Sequence, residues 1–184
     1  MASIATIYGD LDAQIYAKFK SIKLLVCDID GVFSDGRIYL GENNEEYKAF
    51  HTRDGFGIKA IVNAGIDVAV VTGRTSSIVE RRMRALNVRY IFQGREDKSV
   101  ALQELLAVSG VAPNAVAAVG DDVPDIGLFK HAEFAIAVAD AHPLVKQRAD
   151  WVTENRGGFG AVREICDLLL SVNGKLDDFT GASV

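Results

Sequence analysis

Short apolar runs alternate with amphipathic segments along most of the chain. The apolar runs are rich in Val, Ile and Ala and end at polar or glycine residues, which is typical of buried parallel strands. They occupy residues 23–27, 67–71, 115–119 and 134–138. The amphipathic segments predict helices over residues 55–63, 76–86, 98–108, 125–131 and 161–172. This alternation predicts an α/β fold with a doubly wound parallel sheet.

One segment interrupts the alternation. Residues 37–40 and 46–50 carry apolar side chains at every second position and flank a turn of Gly, Glu and Asn residues. This pattern predicts a β-hairpin insertion at about 37–50, whose exposed strand edges favour pairing with another chain. A chain of 184 residues leaves no room for a large cap domain. We therefore expect one domain over residues 1–184, with a flexible polar tail from about 174 to 184.

Composition narrows the classes of function. The net charge of -5 argues against a nucleic-acid binder, which needs a basic surface. We find no secretory signal in the first twenty residues and no apolar run that approaches the roughly 20 residues of a membrane span. Cys27 and Cys166 lie far apart without metal-ligand spacing, which favours buried thiols in a reducing compartment. We expect a cytoplasmic protein that binds neither nucleic acid nor membrane.

Acidic residues follow two of the predicted strands. Asp28 and Asp30 come directly after residues 23–27 and project to the same face of an extended chain, where two carboxylates repel unless a cation intervenes. Asp121, Asp122 and Asp125 follow the third strand. Because ligands bind beyond the carboxyl ends of parallel strands, these acids predict a site for a hard divalent cation. The alternatives are a carboxylate-rich turn and an acidic helix start.

Two further motifs indicate an anionic ligand. Thr72 and Gly73 follow the second strand and offer a hydroxyl and accessible backbone N–H groups, which suit a phosphate. Lys98 opens a helix, where the macrodipole disfavours a cation unless an anionic site is close. Taken singly, each has an ordinary alternative: a strand–turn–helix cap for Thr72 and a solvated side chain for Lys98.

In this order, the four motifs resemble the haloacid dehalogenase-like superfamily of phosphohydrolases. Its pattern of Asp-x-Asp, Thr/Ser, Lys and Gly-Asp-Asp is matched by Asp28 with Asp30, Thr72, Lys98 and Asp121. Residues 28–36, 50–55, 137–143 and 160–168 are similar to the cap-less 3-deoxy-D-manno-octulosonate 8-phosphate phosphatase family. We expect the similarity to run from about residue 22 to residue 184, leaving out the first twenty residues.

The resemblance implies a Mg²⁺-dependent phosphomonoesterase of lipopolysaccharide precursor synthesis. Asp28 would become an aspartyl-phosphate, and Asp30 would act as acid and base. Mg²⁺ would be held by the Asp28 carboxylate, the Asp30 main-chain carbonyl and the Asp121 carboxylate. The alternatives are a phosphatase for a related nonulosonate 9-phosphate and, in a different class, a non-catalytic binding module. The presence of both Asp28 and Asp30 argues against the latter.

The resemblance also assigns supporting residues. Thr72 would hold the phosphoryl oxygens and Lys98 would offset negative charge, while Asp122 and Asp125 would orient Lys98 and metal-bound waters. Residues 123–127 depart from the family's usual sequence, which leaves the role of Asp125 open. The full set of expected substrate-binding residues is Asp30, His51, Thr52, Arg53, Asp54, Gly55, Lys59, Thr72, Gly73, Arg74, Arg82 and Lys98.

Arg82 has a specific expected role at the far end of the substrate. It lies eight residues after Arg74, or roughly 12 Å along a helix, which suits the remote carboxylate of a sugar acid. The alternative is a solvated helix face made of Arg81, Arg82 and Arg84. The resemblance finally implies a homotetramer in which neighbouring subunits and their hairpins cover each site. The tail near residues 181–183 would reach a neighbour's entrance.

Overall fold

A computed structural model describes residues 3–43 and 45–178. Its strands are β1 (Ser3–Thr6), β2 (Gly9–Asp12), β3 (Leu24–Cys27), β4 (Tyr39–Leu40), β5 (Glu46–Tyr47), β6 (Asp67–Val71), β7 (Tyr90–Phe92), β8 (Val116–Gly120), β9 (Phe134–Ala137) and β10 (Trp151–Val152). Its helices are α1 (Ala13–Ser21), α2 (Thr52–Asn63), α3 (Ser77–Ala85), α4 (Lys98–Ser109), α5 (Ile126–Phe129), α6 (Pro143–Lys146) and α7 (Ala161–Val172).

Six of the strands form one parallel sheet in the order β10-β9-β8-β3-β6-β7. Strand β3 lies inside the sheet and pairs with both β6 and β8, with Cys27 opposite Val70 on one side and Val119 on the other. All four β3 residues are buried, as expected for a strand covered on both faces. The predicted doubly wound α/β fold is therefore confirmed. Because β3 lies between β6 and β8, the loop that follows β3 begins between the carboxyl ends of these two strands.

Each face of β3 packs into a different apolar cluster. Leu25 and Cys27 belong to the cluster that includes residues of α2 and α7. Leu24 and Val26 belong to the cluster that includes Leu102 of α4. Burial of a side chain of this size contributes about 1.5–3 kcal/mol. The central strand is thus fixed from both sides, and so is the start of the loop that follows it.

Several elements were missed in the sequence. Strands β7 and β10 have three and two residues, are half-buried, and lie at the two edges of the sheet, so neither gives a clear periodicity. The first twenty residues form the hairpin β1–β2 and helix α1, to which no structure was assigned from the sequence. Phe19 of α1 packs edge-on against Phe134 and Trp151, with ring centroids 4.8 and 5.3 Å away. This N-terminal segment is therefore part of the packed fold.

The predicted hairpin insertion is present and shorter than expected. Strands β4 and β5 pair antiparallel, with Tyr39 opposite Tyr47. Within the described ranges, no separate cap domain accompanies it, as predicted. Of the predicted tail, the residues up to 178 include a short turn of 3-10 helix at Leu176–Asp178. The remaining tail residues, including residues 181–183, lie outside the described residues.

Both cysteines are buried free thiols, as the sequence predicted. Cys27 ends the central strand β3, and Cys166 lies in α7, which packs against α2. Among the residues that the structure describes, no helix has both the length and the apolar character of a membrane span.

Candidate active site

A cleft of about 450 Å³ lies beyond the carboxyl ends of β3, β6 and β8. It brings together residues from all four motifs found in the sequence, as parallel strand pairing requires. Its lining consists of Asp28, Asp30, Thr72, Gly73, Arg74, Arg95, Glu96, Lys98, Asp121, Asp122, Pro124 and Asp125.

A buried ammonium group lies between two carboxylates on one side of this cleft. Lys98 Nζ is 2.5 Å from Asp28 Oδ1 and 2.5 Å from Asp125 Oδ1, and all three residues are buried. Burial alone would lower the pKa of Lys98, but the two carboxylates outweigh it and raise that pKa. Lys98 is therefore held as a cation. Asp97 caps the helix that carries it by accepting from the N–H groups of Ser99 and Val100.

The Asp125 side chain also stabilises the loop after β8 through hydrogen bonds to its backbone. Its second oxygen, Oδ2, accepts from the backbone N–H groups of Asp121 at 2.9 Å and Asp122 at 3.1 Å. Gly120 leaves room for this arrangement, because a Cβ there would lie 2.3 Å from the Cβ of Asp125. The Asp122 carboxylate is exposed and accepts from the N–H of Val123. Of the two acids expected to orient Lys98, it is Asp125 that contacts it.

The Asp121 carboxylate is set up to bind a cation. Its Oδ1 is buried and has no hydrogen-bond partner among the described residues. Asp28, Asp121 and Asp125 each present a carboxylate oxygen, all within 4.8 Å of one another. Burial, with the neighbouring carboxylates, raises the pKa of Asp121 to about 8 and that of Asp28 to about 7. A hard divalent ion with oxygen ligands would relieve this repulsion and satisfy the free oxygen.

Gly31 leaves the space that the Asp121 carboxylate occupies. Gly31 has a φ of +101°, and a Cβ there would lie 2.1 Å from Asp121 Oδ2. Behind it, a Cβ at Gly157 would lie 1.7 Å from the Gly31 carbonyl oxygen, and the Gly158 N–H donates to Val32 at 2.9 Å. The segment near residue 157 thus packs directly behind the loop after β3. No motif in the sequence marked this contact.

Thr72, Gly73 and Arg74 also line the cleft. Thr72 is buried, and its backbone is already paired, its N–H with Phe92 and its carbonyl with the N–H of Arg95, each at 2.9 Å. Its hydroxyl is the group left to act in the cleft. Arg74 is exposed, and its guanidinium lies 3.0 Å from Glu46 Oε2. Arg95, which was not predicted, joins the lining from the segment between β7 and α4.

Two charged residues of the hairpin contact residues of the cleft, and neither was predicted from the sequence. Glu46 of β5 pairs with Arg74, and Lys48, directly after β5, pairs with Asp30 Oδ1. They stand two positions apart, so an extended chain projects both to one side. The opposite charges at these alternating positions could have indicated a contact with the cleft. The hairpin that carries them had been interpreted only as a segment that pairs with another subunit.

The other expected substrate-binding residues do not line this cleft within one chain. His51 caps α2 by accepting from the N–H of Arg53 at 3.1 Å, and Thr52 and Arg53 are exposed at the start of that helix. Gly55 is buried, and Lys59 is half-buried on the same helix.

Asp54 and Arg82 also lie away from the cleft. Asp54 is buried and accepts from the N–H of Arg163 at 2.8 Å, and burial raises its pKa. Arg82 is half-buried in a shallow neighbouring depression lined by Lys48, Phe50 and other residues. Lys48 touches both places, since it lines this depression and contacts Asp30.

Comparisons with known proteins agree with one another. The model of the haloacid dehalogenase-like hydrolase family matches residues 90–165. A curated 3-deoxy-D-manno-octulosonate 8-phosphate phosphatase of Escherichia coli K12 is 49% identical over 183 residues, covering 100% of this chain and 97% of its own length. The match includes the first twenty residues, so the expectation that the similarity starts near residue 22 was wrong. These residues lack catalytic motifs, and their packing against the sheet explains why they belong to the shared fold.

Solved structures show the same relationship. The crystal structure of the Yersinia pestis phosphatase of that name has a TM-score of 0.96 and 45% identity, covering 100% of this chain and 99% of its own. The Moraxella catarrhalis phosphatase, described in complex with magnesium ion, phosphate ion and KDO, has a TM-score of 0.87 and 40% identity. It covers 90% of this chain and 95% of its own.

Asp121→Asn is expected to weaken Mg²⁺ binding by more than about tenfold, because it removes the charge from a carboxylate of the candidate cation site. Isothermal titration with MgCl₂ measures this. Asp10→Asn is the matched control, since Asp10 is an exposed carboxylate on β2 that does not line the cleft. Equal affinities in the two variants would contradict the assignment of Asp121.

Proposed function

The chain belongs to the 3-deoxy-D-manno-octulosonate 8-phosphate phosphatase family of the haloacid dehalogenase-like hydrolases, and we propose that Asp28 is its nucleophile. It is a Mg²⁺-dependent phosphoric monoester hydrolase that converts the sugar-acid phosphate to 3-deoxy-D-manno-octulosonate and phosphate. The observation that supports the role of Asp28 is its buried carboxylate at the end of the central strand, paired with Lys98 beside Asp121.

The proposed reaction has two steps. In the first, an oxygen of Asp28 bonds to phosphorus, the bond from phosphorus to the sugar oxygen breaks, and Asp30 gives its proton to that oxygen. In the second, water attacks the aspartyl-phosphate, Asp30 takes the proton back, and phosphate leaves with Asp28 restored as a carboxylate. Asp30 can serve both steps because the first step leaves it deprotonated, which is the state that the second step requires.

The metal site fits Mg²⁺. We propose that the Asp28 carboxylate, the Asp30 main-chain carbonyl and the Asp121 carboxylate hold the ion, which accounts for the unpartnered Asp121 Oδ1. When bound, Mg²⁺ supplies positive charge next to the transferring phosphoryl group. Asp125 keeps Lys98 in place, and Asp122 lies further out, where it would contact metal-bound water.

The phosphoryl oxygens need donors in a site that is otherwise acidic. Thr72, the N–H groups around Gly73, and Lys98 supply them, with Lys98 also offsetting the charge of Asp28. Arg74 is at the mouth of the same cleft. We propose that Arg82 binds the remote carboxylate of the sugar acid and that the segment 51–55 with Lys59 borders the sugar.

The enzyme is further proposed to act as a homotetramer whose hairpins pair between subunits. Tyr39, Leu40 and Tyr47 of the hairpin are 51%, 77% and 57% exposed, although they are large and apolar. Strands of two residues also leave backbone groups free at both edges. A neighbouring subunit at the hairpin would help exclude water from the site, since the described part of the chain includes no cap domain. The two free cysteines favour a cytoplasmic location.

Phosphate release across a panel of octulosonate and nonulosonate phosphates tests the reaction. We expect Mg²⁺-dependent turnover with the octulosonate 8-phosphate as the best substrate. Asp28→Asn should abolish turnover, because it removes the nucleophile and leaves the surrounding packing unchanged. Equal rates on all sugars would reject the substrate assignment, and an active Asp28→Asn variant would reject the nucleophile.

Arg82→Ala is expected to raise KM for the octulosonate 8-phosphate by about tenfold with little change in kcat, because a charged hydrogen bond far from the reacting atoms is lost. Steady-state kinetics measure this. Arg84→Ala is the control, since Arg84 is exposed on the same helix and does not line the depression that holds Arg82. An unchanged KM in Arg82→Ala would remove Arg82 from the site.

Leu40→Glu is expected to break the tetramer into smaller species, because it places a charge in the proposed hairpin interface. Sedimentation velocity measures the assembly. Ile7→Glu changes another large apolar residue, 62% exposed, outside the hairpin, and should leave the assembly intact. A wild-type chain that sediments as a monomer with full activity would overturn the proposal.

A further inference from the structure

The hairpin contributes a residue to the reaction within its own chain. We propose that Lys48 is a positioning residue, whose ammonium holds the Asp30 carboxylate in the orientation that protonates the leaving oxygen. This inference rests on the proposed acid/base role of Asp30, and it goes beyond it by naming the group that orients that side chain.

The contact itself is well defined. Lys48 Nζ pairs with Asp30 Oδ1, and the Lys48 side chain is 0% exposed while that of Asp30 is 20% exposed. A buried ammonium needs a hydrogen-bond acceptor, and Asp30 Oδ1 can accept from Lys48 both when Asp30 is ionised and when it carries a proton on Oδ2. The side chain of Asp30 is therefore tied to the hairpin and is not free to rotate in the open cleft.

A second contact uses the same oxygen. Ser34 Oγ donates to Asp30 Oδ1 at 3.4 Å, and Asp30 and Ser34 also form an isolated β-bridge in the loop after β3. Because Lys48 and Ser34 both engage Oδ1, we assign proton transfer to Oδ2. One carboxylate oxygen thus anchors the side chain and the other reacts.

The placement of Lys48 also separates the tasks of the two aspartates. Asp28 and Asp30 stand two residues apart, and each is paired with its own lysine, Lys98 for Asp28 and Lys48 for Asp30. The two lysines approach from different elements, one from α4 and one from the hairpin. Lys48 keeps the Asp30 carboxylate from joining Asp28 and Asp121 as another cation ligand. Asp30 then remains available to the leaving group.

The leaving group provides the sharpest test. The sugar alkoxide needs a proton as the bond to phosphorus breaks, whereas p-nitrophenolate leaves without one. We therefore compare kcat/KM, which reports the steps up to formation of the aspartyl-phosphate, on the octulosonate 8-phosphate and on p-nitrophenyl phosphate. In Lys48→Met, kcat/KM on the sugar phosphate should fall by about tenfold to a hundredfold, as expected for a misplaced catalytic group. The value on p-nitrophenyl phosphate should stay within about twofold of wild type. The loss on the sugar phosphate should lie in kcat, because a lost sugar contact in the depression that Lys48 shares with Arg82 would instead raise KM.

Further variants make the result specific. Lys48→Arg keeps the charge and should hold kcat/KM on the sugar phosphate within about fivefold of wild type despite its different shape. Lys20→Met removes an exposed lysine from α1 and should change neither substrate's value. If Lys48→Met does not fold, Lys48→Gln, which keeps a hydrogen-bond donor without the charge, carries the same comparison.

Two outcomes overturn the proposal. An equal loss on both substrates in Lys48→Met would make Lys48 a structural or phosphate-binding residue, and no loss on either would remove it from the reaction. Asp30→Asn in the same assay separates this proposal from the one on which it rests. A selective loss in Asp30→Asn with none in Lys48→Met rejects the role of Lys48 alone. Full sugar-phosphate activity in Asp30→Asn rejects the acid role of Asp30 itself.

Discussion

Repulsion between carboxylates is the constraint on which this site depends. Asp28, Asp121 and Asp125 come from the ends of two adjacent strands, and the sheet holds their oxygens within 4.8 Å of one another. Such a cluster is stable only with positive charge inside it. Lys98 supplies one positive charge, and a Mg²⁺ ion bound between the carboxylates would supply the rest. The shortage of positive charge among these carboxylates makes the site costly to fold and favours the binding of a cation. The cation and Lys98 together then favour the binding of a phosphoryl group.

The sheet was predictable because its central strands are long apolar runs, and the site was predictable because each motif directly follows one of those runs. Asp28 after β3, Thr72 after β6 and Asp121 after β8 were brought to one edge by parallel pairing alone. Lys98 was located by its unfavourable position at a helix start. These inferences need local sequence and one rule of topology.

Other features could not be read in this way because they depend on tertiary contacts. β10 has two residues and is a strand because β9 lies beside it. The buried state of Lys48 arises from the path of the hairpin back across the loop after β3, which no local pattern encodes. His51 and Arg53 were expected to bind the substrate, yet they do not line the cleft in a single chain. In the proposed assembly, a second subunit would supply the missing enclosure.

The hairpin thus carries two sets of side chains with different tasks. Tyr39 and Leu40 are exposed and apolar, whereas Glu46 and Lys48 pair with Arg74 and Asp30. If neighbouring hairpins pair, assembly and the orientation of the acid become mechanically linked, since both act through one short strand.

The close packing of Gly157 on Gly31, and of Gly31 on the Asp121 carboxylate, has an evolutionary consequence. In this stack the backbone of Gly157 contacts the backbone of Gly31, and Gly31 in turn contacts the Asp121 carboxylate, so no flexible side chain lies between them to absorb a change. Even one added methyl group at the rear of the stack would be transmitted to the cation site. Residues at the edge of the cleft can therefore be substituted during evolution, because their side chains can adjust. Gly31 and Gly157 cannot be replaced by a larger residue without displacing the Asp121 carboxylate, so these two positions constrain the chemistry of the site.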